Sequence, residues 1–145
     1  MSRMSMEFQR MIDELRSKKS TPTRDEQKIV KRQTKADVID VVRKQVFALD
    51  AACICGVCRP SKSDEMHEIV SRSALRGKRP EEVFSVRNCV RLSRKCHGLV
   101  TGQVGKGKAL LVRCLDADLG AMGPVELTWR KTGKQVVYIR TKAAR

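Results

Sequence analysis

The first third of the chain has its hydrophobic positions at the 3.6-residue period of a helix. Apolar side chains between Met4 and Lys19 recur at helical spacing, and the polar stretch that follows contains a proline. From Asp25 to about Leu49 the helical spacing returns, with basic residues between the apolar ones. The pattern predicts a short amphipathic helix, a linker, and then one long helix or two abutting helices that end near Asp50.

After residue 50 the segments of regular hydrophobic spacing become shorter. An alternating MHEIV (66–70) predicts a short strand, and SRSALRGKRPEEVFSV (71–86) predicts a loop. The spacing of apolar residues in NCVRLSRKCHGLV (88–100) predicts a helix. Two β-rich runs around a Thr-Gly-Lys turn predict a hairpin in VELTWRKTGKQVVYIR (125–140). The glycine-rich TGQVGKGK (101–108) lacks the spacing of a phosphate-binding loop, so we expect no nucleotide role there.

The charge of the chain indicates a polyanionic partner. The chain has 31 Lys and Arg against 16 Asp and Glu, a formal net charge of +15, and the excess is spread along its whole length. Nucleic acid is therefore the leading partner. Aromatic residues make up only 3% of the chain, which disfavours single-strand binding by base stacking. No apolar run is long enough to span a bilayer and the N-terminus has no signal core, so we expect a cytoplasmic protein without a membrane partner.

Five of the six cysteines lie between Cys53 and Cys96. In an intracellular chain, cysteines at this density are more often metal ligands or free thiols than a disulfide framework. Cys55-Gly-Val-Cys58 has the spacing of a zinc knuckle, and Cys96 is a third candidate ligand. The fourth ligand of a structural Zn²⁺ is either Cys53 or Cys89. The alternative is that these thiols are merely buried.

The two histidines of the chain, His67 and His97, each sit inside a motif. The order is CGVC, then HEIV, then Asn88, then Cys96-His97, and the preceding VRKQVFALD has the character of a helix leading into the knuckle. This ordered set, over about residues 42–101, resembles the HNH endonuclease family, particularly its zinc-knuckle branch common in phage genomes.

The resemblance implies an α+β fold, with a small ββα-metal (His-Me finger) core between N-terminal helices and a C-terminal β-hairpin. It implies a metal-dependent DNA endonuclease that uses Mg²⁺ or Mn²⁺ to hydrolyse phosphodiester bonds, by nicking or double-strand cleavage. Carried onto this sequence, His67 and His97 are ligands of the catalytic ion and Glu68 is the general base. Asn88 orients the loop or the base.

Two positions depart from the family pattern. Glu68 stands where most members have histidine, which leaves open whether Glu68 is a metal ligand and His67 the base. Ser93 stands where the family has a cysteine, so the zinc site is complete only if Cys53 or Cys89 supplies the missing thiolate.

Basic residues fill the spaces between the motifs, and we expect them to contact DNA phosphates. The alternative is a solvated helix and loop face, and two of these residues, Arg72 and Arg91, could equally support the fold. The candidates for nucleic-acid contact are Arg72, Arg76, Lys78, Arg79, Arg91, Arg94 and Lys95.

The motifs suggest three segments. Residues 1–23 form an N-terminal helix and linker, residues 24–104 a helix plus nuclease core, and residues 105–145 a basic hairpin extension. The expected partner is double-stranded DNA, and the N-terminal helices could mediate a homodimer or contact a phage or host protein. Competing hypotheses are a catalytically weak or inactive nucleic-acid-binding protein and an inhibitor of a host enzyme.

Overall fold

The computed structural model describes residues 23–75, 77–102 and 108–140, and in the N-terminal region residues 6, 9–11, 13 and 14. The chain divides into two compact units, Met1–Ala36 and Asp37–Arg145. The described N-terminal residues have helical backbone in the segment predicted to be an amphipathic helix, and the rest of that segment lies outside the described residues. The glycine-rich positions 103–107 also lie outside them.

A single long helix, α1 (Arg24–Leu49), confirms the helix predicted for this region. It begins with a capping box, because Thr23 Oγ1 accepts a hydrogen bond from the Glu26 amide and Glu26 Oε2 accepts one from the Thr23 amide. Among its residues only Val42 and Val46 are buried, four positions apart and so on one face. That face of the helix contacts the second strand described below through Cys89.

The segment after α1 forms an antiparallel pair of strands. Strand β1 (Glu65–Glu68) pairs with β2 (Cys89–Leu92), with His67 opposite Val90. The connection contains a short helix, α2 (Arg72–Leu75), and a 3₁₀ turn (Pro80–Glu82). The strand predicted within 66–70 is confirmed, although it begins one residue earlier and ends at residue 68.

Helix α3 (Arg94–Thr101) follows β2 directly and contacts both strands. The prediction of helix throughout 88–100 is therefore wrong for its first part. Val90 and Leu92 are fully buried at alternate positions, which is the period of a strand, and Ser93 caps the helix by accepting a hydrogen bond from the Cys96 amide.

The C-terminal region is a three-stranded antiparallel sheet in the order β3 (Leu110–Cys114), β4 (Val125–Trp129) and β5 (Gln135–Tyr138). The β4–β5 hairpin confirms the predicted hairpin, and its turn requires Gly133 in the left-handed region at φ +70°. Strand β3 was not predicted from the sequence.

One hydrophobic core joins the cysteine- and histidine-bearing segment to this C-terminal sheet. Ile54, Leu92 and Val100 pack in the same cluster as Leu110 and Leu127, and all five are buried. Within the segment set apart by sequence as a C-terminal extension, Leu110 and Leu127 thus belong to the same core as the residues around the motifs. The fold is α+β, with the motif-bearing β1, β2 and α3 packed beside the sheet.

Candidate metal centres

Four cysteines converge beside the start of α3. The sulfur atoms of Cys53, Cys55, Cys58 and Cys96 all lie within 4.8 Å of one another. The first three belong to the loop after α1, and Cys96 is in the first turn of α3. Four thiolates at this separation suit tetrahedral coordination, so the cluster could hold a metal ion such as zinc.

Hydrogen-bond donors surround the sulfur atoms of the knuckle. Gly56 adopts φ +76°, and the resulting tight turn aims the amides of Val57 and Cys58 at Cys55 Sγ, with nitrogen–sulfur distances of 3.4 and 3.3 Å. The Ser93 hydroxyl lies 3.4 Å from Cys58 Sγ and donates to it. These donors supply the outer hydrogen bonds that metal-bound sulfur requires.

The structure places Cys53, not Cys89, with the other three cysteines. The pKa of Cys53 is lowered to about 5 because the Cys96 thiol donates a hydrogen bond to its sulfur. Cys89 instead begins β2, packs against Val42 and Val46, and lies with its sulfur 3.6 Å from the Val83 carbonyl oxygen. Burial raises the pKa of Cys89 to about 11, so it stays a protonated thiol.

The two histidines of the chain meet at a second place. His67 on β1 and His97 on α3 have ring centroids 5.3 Å apart, in an edge-to-face arrangement. The pKa of His67 is lowered to about 4, chiefly by burial of the ring and to a smaller extent by the neighbouring His97 and Lys108. The His67 ring is therefore neutral at physiological pH and keeps a free lone pair.

Glu65 hydrogen-bonds the His97 ring through Oε2 and Nδ1. A carboxylate on Nδ1 fixes the orientation of the imidazole and leaves Nε2 as its acceptor. Residues 65 and 67 are two apart on β1, so both side chains leave the same side of the strand. Glu65 was not predicted from the sequence, because it lies one residue before the strand predicted at 66–70; its two-residue spacing from His67 was the available signal.

Glu68 and Asn88, the other two residues expected in the site, make their hydrogen bonds and ion pairs with residues other than the two histidines. Alternation along β1 puts the Glu68 side chain on the opposite side of the strand from His67, where its carboxylate binds Arg72 at 3.1 Å. Asn88 is buried and tied to the loop: its Oδ1 accepts from the Val70 amide, and its Nδ2 donates to the carbonyls of Val70 and Val83. Asn88 thus holds both ends of the 70–88 connection.

A cavity of about 420 Å³ opens beside the Glu65–His97 pair. Two exposed arginines line it, Arg43 from α1 and Arg94 from the start of α3, together with Met66. No acidic partner of either arginine is present among the described residues. Arg94 was expected to contact nucleic acid, whereas Arg43, in the helix that leads into the knuckle, was not among the predicted contact residues.

The remaining basic candidates separate into exposed and structural groups. Lys78, Arg79 and Lys95 are exposed. The Arg91 guanidinium, only 12% exposed, binds Asp64 at 2.9 Å and lies over the Phe47 ring, so it supports the fold.

Arg72 is more exposed than Arg91 but is likewise engaged. Its guanidinium pairs with Glu68 and covers the Phe84 ring, with 4.7 Å from Cζ to the ring centroid. Arg76 lies outside the described residues.

Within the described part of the chain, only the cysteine cluster brings three or more His, Cys, Asp or Glu ligand atoms this close together. The histidine pair therefore offers two protein ligands. Across the same residues, the structure contains no helix with the length and apolar character needed to cross a bilayer. Comparison with known proteins found no matching family model, no matching curated protein and no matching solved structure.

Proposed function

We propose that this protein is a metal-dependent endonuclease that hydrolyses phosphodiester bonds of double-stranded DNA at the His67–His97 pair. The observation that carries the proposal is the convergence of these two imidazoles from β1 and α3, 5.3 Å apart between ring centroids. In this proposal β1, β2 and α3 form a ββα-metal core, as the motif resemblance implies. The net charge of +15 supports DNA as the polyanion.

The two imidazole donors suit Mn²⁺ better than Mg²⁺, which prefers oxygen ligands, and either ion would be held by few protein ligands. His67 and His97 would hold the ion, since His67 is neutral and His97 presents Nε2 while Glu65 occupies Nδ1. Such ions usually keep several positions for water and substrate phosphate oxygens. When bound, the ion would polarise the scissile phosphate and stabilise the departing oxygen.

The surrounding residues position the site in this proposal. Glu65 orients His97, and Arg43 and Arg94 bind the phosphate that enters the cavity beside the pair. Asn88 holds the loop behind β1 and β2. The four cysteines, with Zn²⁺, fix the start of α3 against the loop that follows α1.

The contact between Glu68 and Arg72 argues for a supporting role of Glu68. The family resemblance makes Glu68 the general base, whereas its side chain lies across the strand from the histidines. Glu65 and Glu68 are thus two carboxylates on one short strand with different expected roles, and they provide a matched pair of variants.

Nicking of supercoiled plasmid tests the proposal, with Mg²⁺, Mn²⁺ or EDTA and the zinc-loaded full chain. We expect metal-dependent nicking that is lost in His67→Ala and His97→Ala at unchanged DNA affinity. Glu65→Gln should reduce the rate, and Glu68→Gln should leave it near the wild-type value. Loss of nicking in Glu68→Gln with Glu65→Gln unaffected would restore Glu68 as the base.

The alternative is a basic nucleic-acid-binding protein that does not cleave. The charge of +15 and the exposed Lys78, Arg79 and Lys95 would serve binding without any histidine. Tight DNA binding by the folded protein with no nicking under any metal would overturn the nuclease and leave this alternative.

A further inference from the structure

A groove of about 520 Å³ lies between the loop after β1 and the C-terminal sheet, separate from both candidate metal centres. Its volume is in the range of small-molecule and nucleotide sites. Its lining includes aliphatic side chains, Ile69, Val70 and Leu75 from the loop and Val112 from β3. Val70 is 41% exposed, so part of this lining presents apolar surface to solvent.

The lining of the groove is also cationic. Lys78, Arg79, Arg87 and Arg113 line it, against a single acidic lining residue, Glu82. Arg79 and Arg113 pair with glutamates, but the arginine side chains themselves are 62% and 68% exposed. Solvent screening weakens the pairing at such exposed guanidinium groups, so a phosphate can compete for them.

The walls of the groove are fixed by buried hydrogen bonds. The Ala121 amide donates to the Arg87 carbonyl oxygen at 2.7 Å, and a Cβ on Gly120 would lie 2.5 Å from that same oxygen. This close approach requires glycine and holds the β3–β4 connection against the loop. Asn88, tied to Val70 and Val83, holds the other wall. The groove is therefore preformed.

We propose that this groove binds one unpaired nucleotide of a nucleic acid, with the base against the aliphatic side chains and a phosphate at the cationic ones. Aliphatic and cationic side chains lining one groove match a ligand with a flat apolar body and an anionic edge. The first lining residue of the groove, Ile69, lies two residues after His67, so the groove follows the histidine-bearing strand directly in the sequence. The site confers a preference for distorted or partly unpaired DNA and does not depend on cleavage.

Duplex binding with and without one central unpaired nucleotide tests the proposal, using the zinc-loaded full chain without Mg²⁺ or Mn²⁺. At fixed salt we expect about tenfold tighter binding of the bulged duplex. Ala117→Trp, at an exposed lining position, fills the groove and should remove the preference while keeping the affinity for paired duplex. Lys78→Gln should weaken bulged-duplex binding more than Lys62→Gln, which removes an exposed lysine outside the groove.

Cys114 provides a readout independent of affinity, because this half-buried thiol lines the groove. We expect the bulged duplex to slow alkylation of Cys114, measured by peptide mass spectrometry, and the paired duplex to leave it unchanged. Equal binding of both duplexes, with equal alkylation of Cys114, would overturn the proposal. Protection of Cys114 by an acidic peptide but not by bulged DNA would also overturn it and make the groove a protein-docking surface. Either outcome leaves plasmid nicking, and so the proposed endonuclease, unaffected.

Discussion

Asp50 and Arg140, 90 positions apart, form a bidentate ion pair in the interior, with exposed fractions of 0% and 1%. Arg140 Nε lies 2.8 Å from Asp50 Oδ1 and Nη2 lies 3.0 Å from Oδ2. Arg140 also donates to the carbonyls of Val86 and Cys89, and the Tyr138 hydroxyl donates to Asp50. The pair therefore joins the end of α1, the start of β2 and the end of β5, and so connects the C-terminal sheet to the motif-bearing segment.

Replacing Arg140 with methionine is expected to destabilise the fold by about 3–5 kcal/mol, because it leaves the Asp50 carboxylate buried without its partner. Urea denaturation measures the change. The control is Arg113→Met, which removes an arginine that is 68% exposed in its pair with Glu126 and should cost no more than about 1 kcal/mol. Equal losses of unfolding free energy in the two variants would mean that the buried Asp50–Arg140 pair contributes no more stability than the Arg113–Glu126 pair.

We expect Cys53 to be required for metal retention and Cys89 to be dispensable for it. Cys53→Ala should reduce bound zinc and lower the melting temperature, because it removes one of four converging sulfurs. Cys89→Ala should keep the full zinc content, since the sulfur of Cys89 contacts the Val83 carbonyl oxygen and not the other cysteines. Elemental analysis of the purified proteins distinguishes the two, and zinc loss in Cys89→Ala alone would contradict the assignment.

Stability is expected to fall as pH is lowered from about 6.5 to 4 in the absence of added Mg²⁺ or Mn²⁺. The pKa of His67 is about 4 in the folded chain, below the ordinary value of 6.5, chiefly because the ring is buried. In that window the unfolded chain binds a proton at this residue that the folded chain does not, so unfolding becomes more favourable. The contribution is present above pH 6.5 and disappears as pH falls through about 4.

Urea denaturation across this pH range measures the effect, and proton NMR of the His67 ring measures its pKa. His67→Gln should show a shallower loss of stability between pH 6.5 and 4 than the wild type. A His67 resonance titrating at its ordinary value would refute the prediction.

Arg43→Gln is expected to reduce nicking by about 100-fold if Arg43 binds the scissile phosphate, the size of effect seen when one transition-state donor is removed. Its neighbour Lys44 offers the matched control, because Lys44→Gln removes the same charge from α1 at a position that pairs with Asp40 and does not line the cavity. Arg94→Gln and Lys95→Gln provide the same comparison on α3. Equal effects of the two members of a pair would indicate a general charge contribution instead of a phosphate site.

Local patterns in the sequence determined much of the secondary structure. Helical spacing predicted α1, alternation predicted β1, and a glycine turn between β-rich runs predicted the β4–β5 hairpin. The same approach failed at 88–100, where strand β2 and helix α3 meet. A four-residue strand followed by a capped helix carries too few positions for the two periods to be distinguished.

The sequence by itself also identified the residues that could bind a metal ion or take part in catalysis. These are the two cysteines of the CxxC knuckle, Cys96 directly before His97, and both histidines. Only the tertiary structure decided their partners. Cys53 and Cys89 were equivalent in sequence, and they separate because one lies in the loop after α1 and the other faces Val42 and Val46. Glu65 and Glu68 differ in the same way, since the pleat of β1 directs one toward His97 and the other toward Arg72. Long-range packing determines these partners, because the local spacing of residues in a sequence does not specify which neighbour each face of a strand or helix will contact.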